Sequence, residues 1–247
     1  MAAETQDRKT GKGTDMQKIG IIGAMDIEVN TLKGMLKTDK EITKAGMTFC
    51  EGTLEGKQVV IVKCGVGKVN AAMCVQILAD LFEVTHIINT GVAGSLNAKL
   101  DIGDILVSVD ALQHDMDVTA LGYQPGQNPD FKQVEFKADT AMGRCAMVAC
   151  RKVNPDIAVM EGRVVSGDVF VNSADLKERL VSVFHGDCAE MEGASIAQAS
   201  WLNGLPFLIL RAISDKADNS SHMDYPTFEK QAAEHCARLV REFVATF

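Results

Sequence analysis

Four absences narrow this 247-residue chain before any motif is read. No apolar run approaches the ~20 residues that a bilayer span needs, so no membrane segment is expected. Positive charge is not in excess: 25 Lys and Arg stand against 33 Asp and Glu, a net charge of −8. A phosphate backbone requires a basic face, so nucleic acid is excluded as the expected partner and a small or neutral ligand is favoured. The seven cysteines are an odd set without a CxxC pair, and several sit inside apolar runs, as buried thiols do. That pattern excludes a disulfide framework and points to a reducing cytoplasm. Finally, residues 1–15 (MAAETQDRKTGKGTD) have no apolar core of a signal peptide and read as a disordered leader, with one domain over 16–247.

Within that domain, 47% apolar and 23% charged residues are ordinary globular values, and the length suits a single large core. Strand and helix patterns alternate along it. KIGIIGA (18–24) reads as a short buried strand, and 25–37 as an amphipathic helix with Glu28 in its first turn. Glu28 suits the helix dipole there, and it is also an acid beside the end of a strand. Residues 47–54 and 58–64 pair around a Glu55-Gly56 turn. CGVGKVN (64–70) opens a helix through Phe82. It has Asn70 where a dinucleotide loop carries its third glycine, so it marks a tight turn. A strand at 86–90 leads into a loop of small residues, GVAGSL (91–96), and 104–109 is another strand. Residues 113–136 show little periodicity; His114, Asp115 and Asp117 within them read as capping and turn residues rather than metal ligands. A helix over 138–152 and a strand over 157–166 follow. Phe170 comes next, placed to stack on something flat or to fill the core, ahead of a helix to about Phe184. The expected fold is α/β: one domain with a mixed, twisted central sheet flanked by helices.

The chemistry concentrates near the end. DCAEMEGASIAQA (187–199) crowds Asp187, Glu190 and Glu192 into six residues and then turns into small helix-compatible residues, with Glu192 where a first helical turn begins. The next strand, PFLILRAISD (206–215), is apolar until it ends in Arg211, Ser214 and Asp215. A buried strand that finishes in charge delivers that charge to the mouth of a sheet, where α/β folds hold ligands. A long amphipathic helix over 225–247 closes the chain.

Seven segments in order carry a family resemblance: GIIGAM-x-x-E (20–28), CGVGKVNAA (64–72), NTGVAG (89–94), HDMDVTALGY (114–123), VSGDVF (165–170), AEMEGASIAQ (189–198) and RAISDKAD (211–218). Together they resemble the bacterial 5′-methylthioadenosine/S-adenosylhomocysteine nucleosidases of the nucleoside phosphorylase superfamily. The resemblance implies a cytoplasmic homodimer that hydrolyses the N9–C1′ bond of both nucleosides, and of 5′-deoxyadenosine, without cofactor or metal. It implies Asp215 as the acid at adenine N7, Glu28 as the base for water, and Glu192 as an acceptor for the ribose hydroxyls, with Met191 against the sugar. Arg211 would orient a carboxylate or water, or form a plain ion pair. Phe170 would stack on adenine and the Val171 backbone would meet its Watson–Crick edge, with Val92, Ala93, Gly94 and Ser214 around the base and ribose. Met25, Val66 and Tyr225 would line the 5′ pocket, closed by Leu121, Tyr123 and Pro129 of the partner subunit. Val92 replaces a frequent serine, and Leu121 and Tyr225 replace frequent phenylalanines, so the departures fall on substrate preference rather than on the acids.

Two relatives and one other class compete. A phosphorylase needs cationic clamps, yet the loops at 23–28 and 90–95 contain no Arg or Lys. A futalosine or aminodeoxyfutalosine hydrolase would use the same acids. A silent nucleoside-binding protein would have no use for a water-activating base.

Overall fold

The computed structural model describes residues 17–218 and 221–247; the leader expected at 1–15 lies outside the described residues. The hydrophobic run at 18–23 forms β1 (Lys18–Gly23), buried from Ile19 on and hydrogen-bonded on both edges. Two flanking strands and no solvent face are what an unbroken apolar run predicts. Helix α1 (Asp26–Met35) follows, and the chain turns straight into β2 (Lys37–Lys44). This strand escapes the sequence reading because it is polar at every position but Ile42. It pairs only with β3 (Met47–Leu54), so it needs no buried face, and its lysines guard an open edge. The β3–β4 hairpin (β4, Lys57–Lys63) turns on Glu55 and Gly56 at φ 48° and 80°, the left-handed pair that a two-residue hairpin loop requires.

Helix α2 (Lys68–Phe82) leads to β5 (His86–Ser95), then β6 (Ile105–Gln113) and the two-residue β7 (Phe136–Lys137). Residues 114–135 between them hold only one 3₁₀ turn, Thr119–Leu121. After α3 (Thr140–Val153) come β8 (Val159–Ser166), α4 (Ala174–Phe184), β9 (Cys188–Glu190), α5 (Gly193–Leu202), β10 (Phe207–Asp215) and α6 (Ser221–Thr246).

The small residues at 91–95 are strand, not the loop that their composition suggests. β5 runs parallel to β10 with Val92 opposite Ala212 and Gly94 opposite Asp215, and its end pairs with β9. The glycines answer a packing need. A Cβ on Gly91 would meet Glu28 Oε1 at 2.4 Å, and one on Gly94 would meet Asp215 Oδ1 at 2.8 Å.

All ten strands make one mixed sheet, as the α/β reading expects. It also closes on itself at one end, since β10 bonds both β5 and β6 while β8 and β9 complete the ring. Helices α1, α3 and α6 cover one face through Leu32, Ala146 and Phe243; α2 and α5 cover the other through Leu78 and Ile196. The ends of β1, β5 and β10 converge where β9 finishes. No helix of the described residues is long and apolar enough to cross a membrane.

Candidate active site

At that convergence lies a cavity of about 220 Å³. Its walls come from Ala24, Met25 and Glu28 after β1, Val66 after β4, Val92 to Gly94 on β5, Ala189 to Glu192 on and just after β9, and Ser214 and Asp215 at the end of β10. Phe170 and Tyr225 close one side, their rings edge to face at 5.8 Å between centroids. Tyr225 also hydrogen-bonds through its hydroxyl to Met25 Sδ at 3.2 Å.

Glu28 is 4% exposed, and its carboxylate is held entirely by backbone. Oε2 accepts from Ala24 N–H at 2.7 Å and Met25 N–H at 3.0 Å, while Oε1 accepts from Val92 N–H at 3.1 Å. Burial pushes its pKa above the ordinary carboxylate value, against the pull of Arg211 and those three donors. A carboxylate has about four acceptor positions, so three N–H bonds leave room for one more donor.

Glu190 anchors the opposite side. It accepts from Ser166 Oγ, from Glu192 N–H at 3.1 Å, from Gly193 N–H at 2.8 Å, and from the Arg211 guanidinium. Arg211 is 2% exposed and also donates to Asn89 Oδ1. Burial disfavours the cation, but Glu190 and Glu28 raise its pKa above the usual guanidinium value. Glu192 caps α5 and accepts from Gly67 N–H at 2.7 Å. Three buried carboxylates face one guanidinium, an excess of negative charge that favours protonation of one acid. Burial and then Glu190 push Glu192 up to about 8. The acceptor expected at 192 is therefore an acid able to donate as well at neutral pH.

This has a measurable consequence. A carboxyl whose folded pKa lies above its unfolded value favours the folded state fully below the unfolded pKa. That contribution is lost as pH rises through the folded pKa. For Glu192 the window runs from about 4.5 to about 8. Glu192→Gln keeps an acceptor for Gly67 and removes the titration. Its Tm advantage over the wild type should grow from pH 5 to pH 8.5, by roughly 2–4 °C for each kcal/mol involved. Parallel Tm curves across that range would refute the assignment.

Asp215 is 2% exposed at the end of β10, where a register shift after Ile213 redirects the strand. Its Oδ1 accepts from Ala217 N–H at 2.8 Å, and Ser214 Oγ lies 3.0 Å from Oδ2.

The family model described as "Phosphorylase superfamily" matches residues 18–245. A 5′-methylthioadenosine/S-adenosylhomocysteine nucleosidase of Halalkalibacterium halodurans is 41% identical over 230 residues, covering 93% of this chain and 98% of that protein. The crystal structure of the Neisseria meningitidis nucleosidase of the same name, in complex with methylthio-immucillin-A, superposes with a TM-score of 0.90 at 36% identity. It covers 94% of this chain and 100% of its own. The chain belongs to the 5′-methylthioadenosine/S-adenosylhomocysteine nucleosidase family of the phosphorylase superfamily. That family is one of N-glycosyl hydrolases acting on purine nucleosides. The futalosine hydrolase of Helicobacter pylori is also similar, with a TM-score of 0.89 at 33% identity over 94% of this chain and 99% of that one.

Of the residues that the nucleosidase resemblance singled out, twelve line the cavity: Glu28, Glu192, Asp215, Met25, Val66, Val92, Ala93, Gly94, Phe170, Met191, Ser214 and Tyr225. Val171 lines a small recess beside it, next to Phe170. Arg211 stands behind Glu190, outside the lining. Leu121, Tyr123 and Pro129 do not reach the cavity within one subunit; they lie exposed in the irregular loop, where Leu121 is 73% accessible. His114 packs on Phe184, Asp115 pairs with Lys68 at 2.6 Å, and Asp117 accepts from Thr119 N–H within a turn. Sequence reasoning gave no role to Ala24, Ala189 or Glu190, all in the wall. Glu190 was visible as an acid two residues before Glu192; Ala24 and Ala189 carry no chemical signal of their own.

Proposed function

We propose that the chain hydrolyses the N-glycosidic bond of 5′-methylthioadenosine and S-adenosylhomocysteine, and of 5′-deoxyadenosine, releasing adenine. The observation that carries this reading is where the Glu28 carboxylate sits. The N–H groups of Ala24 and Met25, just after β1, and of Val92, within β5, form the kind of donor set that binds phosphate. Here they are occupied by the protein's own anion. A phosphate nucleophile would have to displace it and meet its charge, whereas water fits at the remaining acceptor position. That favours hydrolysis over phosphorolysis.

The steps follow from charge. Adenine is a poor anionic leaving group, so Asp215 protonates N7 as the bond opens. The ribose becomes cationic at C1′, and the surplus of carboxylate over guanidinium around Glu28, Glu190 and Glu192 stabilises it. Glu28 takes the proton of the attacking water. Burial moves its pKa upward, toward the range in which a general base works best at neutral pH. Glu192 exchanges hydrogen bonds with the ribose hydroxyls and Met191 packs on the sugar. Phe170 stacks on the base, whose edge meets the Val171 backbone. Met25, Val66 and Tyr225 hold the 5′ substituent.

The exposed apolar surface supports a homodimer in which the partner subunit's 121–129 loop closes the 5′ side. Val66 and Leu121 are 50% and 73% exposed, a solvent exposure costly for large apolar groups unless covered. Seven free cysteines, six of them buried, fit a reducing cytoplasm.

The decisive assay follows adenine release from methylthioadenosine in phosphate-free, metal-free buffer. Full activity is expected there, with no increase on adding phosphate and a lower kcat/KM for futalosine. Adenine that appears only with phosphate would make the chain a phosphorylase. A preference for futalosine would transfer it to the reading suggested by its H. pylori structural relative.

A further inference from the structure

Outside the cavity, α4 touches the segment that carries Asp215 at one informative point. Lys177, one turn into α4, extends its ammonium to the carbonyl oxygen of Lys216 and lies 3.5 Å from Asp218 Oδ2. That carbonyl belongs to the peptide joining Lys216 to Ala217. The N–H at the other end of the same peptide is the donor to Asp215 Oδ1. Ala217 holds this N–H in place at φ 51°, a left-handed conformation that a non-glycine residue adopts only when its surroundings impose it. Its surroundings do: Ala217 is fully buried in the cluster of Leu180, Val171 and Ala189, directly over Gly94. From the far side Lys216 reaches Leu100 O at 2.9 Å and Asp101 at 2.7 Å. The turn is thus tied down by two lysines pulling in different directions.

We infer that Lys177 is a positioning residue for Asp215, acting through the Lys216–Ala217 peptide; the inference rests on Asp215 being the proton donor. An ordinary helix-to-turn tie could fall on any carbonyl. This one falls on the peptide whose N–H faces the reacting carboxyl. A cation on a peptide carbonyl makes the N–H of that peptide a stronger donor, and the tie also fixes where that N–H points, so its loss misplaces the donor as well as weakening it. The gain is differential. As the proton passes to N7, the Asp215 carboxyl becomes an anion, and a donor already aimed at Oδ1 meets the new charge without rearrangement. Among the described residues Lys177 makes its polar contacts with Lys216 and Asp218, outside the cavity wall, so substrate binding should change little.

The test is a cycle of Lys177→Met, Asp215→Asn and the double variant, with Lys177→Arg as the conservative partner. Lys177→Met should lower kcat for methylthioadenosine about tenfold with KM within twofold, and Lys177→Arg should return kcat to within threefold of wild type. On the Asp215→Asn background the same Met substitution should change residual turnover less than twofold, because no anion forms there to be met. A plain structural tie predicts the same loss on both backgrounds. That result, or a Lys177→Met enzyme with wild-type kcat, overturns the inference. A wild-type protein that releases no adenine from methylthioadenosine instead defeats the reading of the site on which the inference stands.

Discussion

Asp215→Asn should cut turnover of methylthioadenosine by roughly 10² to 10⁴-fold, the range associated with removing one general acid. The substitution is close to isosteric. The Asn carbonyl can accept from Ala217 N–H as Oδ1 does, and the amide can donate to Ser214 Oγ in place of the present contact. Nothing else in the wall moves, so Tm should stay within a few degrees and a non-hydrolysable nucleoside should bind within several-fold of wild type. What disappears is the transferable proton, and adenine must then leave as an anion or wait for solvent to protonate it. Single-turnover adenine release measured beside equilibrium binding separates these quantities. Turnover within tenfold of wild type would take Asp215 out of the acid role and leave Lys177 no proton donor to position.

How much of this was legible in the sequence divides along a physical line. Residues whose chemistry is unusual for their surroundings were visible: an Asp ending an apolar strand, a Glu in the first turn after a glycine-rich strand end, acids packed ahead of a run of small residues. So was the mixed α/β domain, because strands covered by helices on both faces must be apolar throughout. Three features were not. β2 satisfies only its hairpin partner and half-buries a single apolar residue, Ile42, so it has no apolar period to detect. The 91–95 segment looks like loop because it is small, but its size answers the side chains of Glu28 and Asp215 pressing on it from elsewhere in the chain. The role of Glu190 depends on Ser166 and Arg211, 24 and 21 residues away, a relation that only the closed end of the sheet creates. Sequence displays what a residue is; it does not display what has been folded against it.

The same distinction gives the second large effect, at Glu28. Glu28→Gln should lower turnover at least as far as Asp215→Asn, and here the fold should feel it too. The carboxylate meets backbone donors on both oxygens, Ala24 and Met25 on one and Val92 on the other. Gln offers one oxygen and one NH₂, so either orientation sets a donor against a donor. A buried donor left without a partner costs about 1–3 kcal/mol, which lowers Tm by several degrees in a protein of this size. Glu28→Ala avoids that conflict and empties the donor set instead, leaving three N–H groups around a carboxylate-sized space. Formate should then enter and restore part of the lost turnover in a concentration-dependent way, because it brings both an anion for the donors and a base for water. The pH profile supplies an independent reading. Burial raises the pKa of Glu28, so wild-type activity should fall on the acid side at a pH above the ordinary carboxylate range. The residual activity of Glu28→Ala should lack that fall and regain an acid limb only when formate is present. Should Glu28→Gln keep more than a tenth of wild-type turnover, water activation belongs to another group, and the occupied donor set would explain only why phosphate is kept out.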